Sequence, residues 1–228
     1  MSLFAIADTH LSFGTDKPMD SFEGWQNYTE KLKKNWNKVV DSDDDVIIAG
    51  DISWAMDFEE LKSDFDFIEK LNGNKIILKG NHDYWWNTLS KMNRFLANNQ
   101  YKTIKFLHNN SFVAGNISVC GSRGWMFECN DEFNEKVLNR EVMRIKRSLE
   151  SATCNEKIVF LHYPPVTTNS ICKEIIDLLK EFGIKKCYFG HLHGEAAKYV
   201  KEGNIEEINF KLISCDKLNF TPYLINKY

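Results

Sequence analysis

Five short polar segments, each closing an apolar run, constrain this chain more than any other feature. Asp8-Thr9-His10 follows Leu3–Ala7, Gly50-Asp51 follows Val46–Ala49, and Gly80-Asn81-His82-Asp83 follows Lys75–Lys79. His162 ends the run Ile158–Leu161, and Gly190-His191-Leu192-His193 follows Lys186–Phe189. Apolar runs this short read as strands buried on both faces. Chemistry-bearing side chains collect where such strands end and loops begin. The segments take in five of the six histidines and leave only His108, a bystander on this reading. Residues two apart in extended chain point the same way, so Asp8 with His10, and His191 with His193, can each aim at one point.

Between these runs the spacing turns helical. Trp25, Tyr28, Leu32, Trp36 and Val39 form one stripe, and Phe58, Leu61, Phe65, Ile68 and Leu71 a second that stops at Asn72-Gly73. Trp86, Leu89, Met92 and Leu96 suggest a third helix, and Leu138, Val142, Ile145 and Leu149 a fourth. A further helix is expected over Ile171–Phe182. Gly115-Asn116 predicts a hairpin between Phe112–Ala114 and Ile117–Cys120, and Glu202-Gly203-Asn204 a turn among short C-terminal strands. The sum is an α/β chain with parallel and hairpin strands in two packed sheets covered by helices. No repeat or linker interrupts it, so a single domain over residues 1–228 is expected.

Composition narrows the function. At 228 residues the chain buries roughly three quarters of its unfolded surface and needs no disulfide staples. The net charge of -3 supplies no basic footprint, which argues against nucleic acid as a partner. Cys120, Cys129, Cys154, Cys172, Cys187 and Cys215 form no C-x-x-C pair and read as free thiols of a reducing compartment. No apolar stretch reaches membrane-spanning length, and the first strand begins almost at Met1, so a cytoplasmic location is expected.

Carboxylate, imidazole and amide oxygen without thiolate suit Mn, Fe or Zn rather than a soft-metal site. The candidate ligands Asp8, His10, Asp51, Asn81, His162, His191 and His193 exceed what one tetrahedral ion needs, so two ions sharing a carboxylate is the economical arrangement. Singly, each residue has an ordinary reading: Asp and Asn cap helices, and a histidine at a strand end is often just buried. Their common placement is what favours a metal centre.

The order D-x-H, G-D, G-N-H-D, H, G-H-x-H from Asp8 to His193 resembles the signature of the calcineurin-like metallophosphoesterases. The resemblance implies a four-layer α/β/β/α sandwich of two mixed sheets. It implies that Asp8, His10 and His193 hold one metal, that Asn81, His162 and His191 hold the other, and that Asp51 bridges them. The implied reaction is hydrolysis of a phosphate mono- or diester by in-line attack of a hydroxide held between the metals, with His82 as general acid. Small molecules or nucleotides are the expected substrates. A nuclease, or a non-catalytic metal-binding interaction module of the same fold, are the competing readings.

Trp54 departs from the pattern, since many family members carry a second aspartate three positions after the bridging one. Either another acid such as Asp83 or Asp57 orients His82, or His82 is less polarised and Trp54 walls the substrate pocket. Arg123, after the predicted hairpin, could reach a substrate phosphate or form an ordinary salt bridge. Tyr84-Trp85 reads as rim packing or as a pocket wall.

Overall fold

Alternate residues of each central strand face different cores, and this period of two builds the layers. The computed structural model describes residues 1–125 and 135–228. The elements run β1 (Ser2–Ile6), α1 (Tyr28–Val39), β2 (Asp45–Ala49), α2 (Phe58–Glu69), β3 (Asn74–Leu78), α3 (Leu89–Asn98), β4 (Ile104–Phe106), β5 (Phe112–Ala114) and β6 (Ile117–Ser122). They continue with α4 (Glu135–Glu150), β7 (Glu156–Leu161), α5 (Lys173–Glu181), β8 (Lys186–Phe189), β9 (Gly203–Ile205), β10 (Ile208–Leu212) and β11 (Tyr223–Lys227). One sheet has the order β11-β1-β2-β3-β4 and the other β5-β6-β7-β8-β10-β9. Both are mixed: β1–β4 run parallel with β11 antiparallel at the edge, and β6, β7, β8 and β10 run parallel between antiparallel β5 and β9.

Leu3, Ala5, Ile47 and Ile76 face Val119, Ile158 and Phe160 across the two sheets. Their strand neighbours Phe4, Ile6, Val46, Ile48 and Ile77 face outward against Leu32, Trp36, Leu61, Phe65 and Met92 of the helices. On the other side Val159, Leu161 and Phe189 pack against Leu138, Ile145, Ile175 and Leu179. The result is the expected four-layer sandwich, with helix, sheet, sheet and helix stacked around three apolar layers.

Local chemistry sets the helix starts. Asp57 caps α2, its carboxylate accepting from the backbone N–H of Glu59 (2.9 Å) and Glu60 (3.0 Å). Thr88 begins α3, so Trp86 lies outside the helical stripe it was expected to join. Trp25 likewise precedes α1, because Asn27 adopts left-handed backbone (φ 54°) and breaks the helical run. At the C-terminus the turn falls at Glu206-Glu207 and not at Glu202-Gly203-Asn204, since Ile205 pairs with Ile208. Both glutamates take positive φ (52° and 66°), the geometry a two-residue hairpin needs, but without the Asn-Gly that normally announces it. The described cysteines Cys120, Cys154, Cys172, Cys187 and Cys215 are free. Cys129 lies outside the described residues.

Candidate metal centre

The five predicted segments converge where β1, β2 and β3 of one sheet and β7 and β8 of the other end. Several backbone bonds and one side chain lace these ends together. Asp8 N–H donates to Gly50 O (3.0 Å), Ala7 N–H to Ile213 O (2.8 Å) and Gly190 N–H to His162 O (3.1 Å). His191 N–H donates across to the Asp8 carboxylate (2.9 and 3.0 Å). Four candidate ligands, Asp8, His10, Asp51 and His191, sit in left-handed backbone (φ 58°, 43°, 50° and 74°). Each such position costs on the order of 1–3 kcal/mol and persists only where the surroundings impose it. Two glycines are required by close approach: a Cβ on Gly80 would lie 2.1 Å from Asp51 Oδ1, and one on Gly190 2.6 Å from Asp8 Oδ2.

Ligand atoms of Asp8, His10 and Asp51 lie within 4.8 Å of one another, as do those of Asp51, His162 and His191. The Asp51 carboxylate therefore belongs to both groups. Its Oδ2 stands 3.5 Å from His162 Nε2, 3.8 Å from His10 Nε2 and 4.0 Å from His82 Nε2. Asn81 Oδ1 is 2.6 Å from His162 Nε2. His162 Nδ1 donates to Ala49 O (3.1 Å), which leaves Nε2 directed at Asn81 and Asp51. His193 rounds off the cluster, its ring 5.2 Å from that of His10.

The electrostatics suit a cation. Burial pushes the Asp8 carboxyl up to about 6 and the imidazoles of His10 and His191 down to about 3, leaving both rings as neutral donors. Burial also works to raise Asp51, but the imidazole of His162 holds it well below the usual carboxylate range. Burial works to lower His162, and the carboxylates of Asp51 and Asp8 override it and raise that group to about 9. Among the described residues His10 has no hydrogen-bond partner for either of its buried ring nitrogens. A buried polar atom left unpaired costs about 1–3 kcal/mol, so this donor pair calls for a ligand such as a metal ion.

His82 is placed by groups the sequence did not single out for the task. Asp57 is spent on the α2 cap, and Asp83 turns away from the imidazole. The Asp83 carboxylate is fully buried and accepts from Gly80 N–H (2.7 Å), Ile52 N–H (2.9 Å), Asp51 N–H (3.0 Å) and the Trp85 indole (3.2 Å). It staples the loops after β2 and β3 together. His82 instead pairs through Nδ1 with the Tyr84 hydroxyl (3.2 Å), and its own N–H donates to Asp51 Oδ1 (2.8 Å). Trp54 touches both imidazoles, stacked on His10 at 5.0 Å and tilted against His82 at 4.4 Å. Lys17 Nζ covers its ring at 4.9 Å. Asp64 was missed altogether: it accepts from Phe13 N–H (2.7 Å) and from the Ser53 hydroxyl, tying the loops after β1 and β2 together from below α2. An acid on the apolar face of a helical stripe was its signal.

Beside His10, His82 and His193 opens a cleft of about 560 Å³ walled by Met19, Phe22, Trp25 and Trp54, with Glu23 and Glu195 also on its lining. Arg123 does not line it. Its guanidinium is 3.4 Å from the buried carboxylate of Glu141, in a separate pocket with His108.

Fold and site together define a metallophosphoesterase. The chain belongs to the calcineurin-like phosphoesterase family, whose signature matches residues 1–195. It is 24% identical over 178 residues to uncharacterized protein MJ1445 of Methanocaldococcus jannaschii, a match spanning 76% of this chain and 90% of the relative. Among solved structures it resembles the phosphopantetheinyl hydrolase PptH of Mycobacterium tuberculosis (TM-score 0.59, 12% identity, 100% of this chain and 96% of that one). It also resembles AQ665 of Aquifex aeolicus, a protein of unknown function (TM-score 0.51, 15% identity, 98% of this chain and 95% of that one). At these identities the two structures speak for the shared fold. Among the described residues no helix is long and apolar enough to cross a membrane.

Proposed function

We propose that this chain hydrolyses phosphate mono- or diesters of small molecules or nucleotides at a centre of two Mn, Fe or Zn ions. Asp8, His10 and His193 would hold one ion, Asn81, His162 and His191 the other, and Asp51 both. The observation that carries the reading is the Asp51 carboxylate, which falls within reach of both ligand groups while His10 offers two unpaired nitrogens. Metals held so close supply an activated water and neutralise charge on the phosphoryl oxygens.

The chain's own residues do the rest. His82 lies at the mouth of the cleft with a side chain 32% exposed, where it can hand a proton from Nε2 to a leaving oxygen. The Tyr84 hydroxyl on Nδ1 fixes the ring's rotation. Burial lowers the pKa of His82 and Asp51 opposes that shift, so the imidazole gives up a proton readily. Trp54, Trp25, Met19 and Phe22 exclude water from one side of the cleft and fit an aromatic or apolar leaving group. Mn²⁺-dependent hydrolysis of nitrophenyl phosphate mono- and diesters tests the reading, with Asp51→Asn as control. Metal-dependent turnover that vanishes in the variant supports it. A wild type that binds the metals and is inert on a broad panel of phosphate esters would reject it in favour of a binding module.

A further inference from the structure

A second cluster of charge lies outside the cleft. Lys79, Arg123 and Arg144 line one small cavity of about 80 Å³ together with His108, Asn109, Ser122, Trp86 and Leu107. Lys79 ends the run that leads into the Gly80-Asn81-His82 loop. Arg123 follows β6, and its carbonyl accepts from the N–H groups of His162 (3.0 Å) and Tyr163 (2.8 Å). The cavity thus flanks the loops that carry Asn81 and His162, and among the described residues it shares no lining residue with the apolar cleft.

The positive charge there is only partly balanced. Among the described residues Glu141, fully buried, is the one carboxylate in contact: it accepts from Arg144 Nη1 (2.5 Å), from Ser122 Oγ (3.0 Å) and, more loosely, from Arg123 Nη2 (3.4 Å). Asp83, the other carboxylate near Lys79, has both oxygens committed to amides and to the Trp85 indole. Among the described residues Lys79 has no ion pair, and Arg123 Nε is buried without a hydrogen-bond partner. His108 adds a donor. The Trp86 indole N–H can only donate, so His108 Nδ1 accepts it (3.4 Å) and the ring proton resides on Nε2. Among the described residues, two guanidinium groups, an ammonium and an imidazole N–H around one carboxylate leave donors and charge in excess, in a space of roughly two to three water volumes. Guanidinium and ammonium groups gathered in this way match a tetrahedral oxyanion.

We propose that Lys79, Arg123, Arg144 and His108 form a second anion site, separate from the metal centre, that takes a phosphate or phosphoryl group. Glu141 acts as the positioning residue, holding the two guanidinium groups on one wall. The site goes beyond the phosphoesterase reading and does not depend on it, because its ligand binds without turnover.

The test is calorimetric titration of inorganic phosphate into the full chain at fixed ionic strength, first with EDTA and then with Mn²⁺. Saturable binding that persists in EDTA and weakens about ten-fold in Lys79→Gln, with Lys79→Arg restoring it, supports the site. Arg144→Gln should weaken it similarly, but can also destabilise the fold by stranding Glu141, which is why Lys79, with no ion pair among the described residues, is the deciding position. Phosphate binding seen only with Mn²⁺, or unchanged in Lys79→Gln, overturns the proposal. Kinetics then separate two sources of the ligand. If the site holds a substrate's second phosphoryl group, Lys79→Gln raises KM about ten-fold for a nucleoside diphosphate and leaves nitrophenyl phosphate unchanged. If it holds free phosphate, both KM values stay constant while the calorimetric loss remains.

Discussion

The first sheet brings Asp8, His10, Asp51 and Asn81 to the candidate metal centre on loops tied down by buried carboxylates, whereas the second sheet brings only imidazoles. Asp83 ties the loops after β2 and β3, and Asp64 those after β1 and β2. The loops bearing His162 and His191 are held by backbone carbonyls, by Asp8 itself, by the Ser214 hydroxyl and, at the far end, by the half-exposed Asp216 rather than by a buried carboxylate of their own. The first sheet therefore works as the frame and the second as the part fitted onto it. Ligands of the frame are bound into the fold, and those of the fitted part can change with less effect on stability.

Replacing the residue that both groups share should give the largest effect. Asp51→Asn is expected to lower metal-dependent turnover on the order of 10³-fold or more, measured on nitrophenyl esters. Next comes the frame itself. Asp83→Ala leaves the amides of Asp51, Ile52 and Gly80 and the Trp85 indole without an acceptor, a loss of about 4 kcal/mol. Metal-free melting temperature should fall by roughly 10 °C. His193→Ala, on the fitted side and only half-buried, should leave that melting temperature within about 2 °C while costing about 10²-fold in activity. Equal destabilisation by the two variants would break the distinction between frame and fitted part.

The frame was the more legible half in the sequence. Its strands were apolar runs ending in motif residues, and the candidate ligand positions were read from where each run stopped. The sequence could not show how the loops are held. Asp83 sits inside a ligand motif, next to His82, and proximity along the chain suggested a partner for that imidazole; only the folded backbone reveals the converging amides it satisfies. Asp64 carries no motif and is visible only as a polar residue on the buried face of α2. Arg123 stood in the sequence as a substrate contact or a salt bridge, and its contact with Glu141 depends on α4 packing over β6, a long-range event. The Glu206-Glu207 turn was illegible for another reason: pairing of Ile205 with Ile208 imposes positive φ on residues that do not prefer it.

Asp64 allows a pH test of the frame away from the metals. Burial raises its carboxyl from the ordinary 3.8 to about 6 in the folded chain. The folded state thus holds this proton more tightly than the unfolded one. The contribution to stability is fully present below pH 3.8 and is lost as pH rises through about 6. Asp64→Asn removes the titration, so the difference in unfolding free energy between wild type and variant should shift by about 3 kcal/mol across that window. Denaturant titrations of the metal-free proteins at several pH values measure it, and parallel profiles would remove Asp64 from the frame.

The smallest effect expected belongs to Trp54, which touches one ligand and the proton donor at once. Stacked on His10 and tilted against His82, its indole lines the cleft at the position where many family members carry an aspartate. Exchanging a carboxylate for an indole at this place gives up polarisation of His82 and supplies an apolar wall. Trp54→Ala should therefore raise KM about ten-fold for an aryl phosphate ester, since a lost aromatic contact is worth about 1 kcal/mol or slightly more. An alkyl ester that cannot reach the wall should change little. Trp54→Phe, which keeps a ring against the two imidazoles, should recover most of the aryl preference. Were kcat to fall equally for aryl and alkyl esters with KM untouched, Trp54 would be holding His82 in place rather than selecting the leaving group, and the frame would extend one residue further into the cleft.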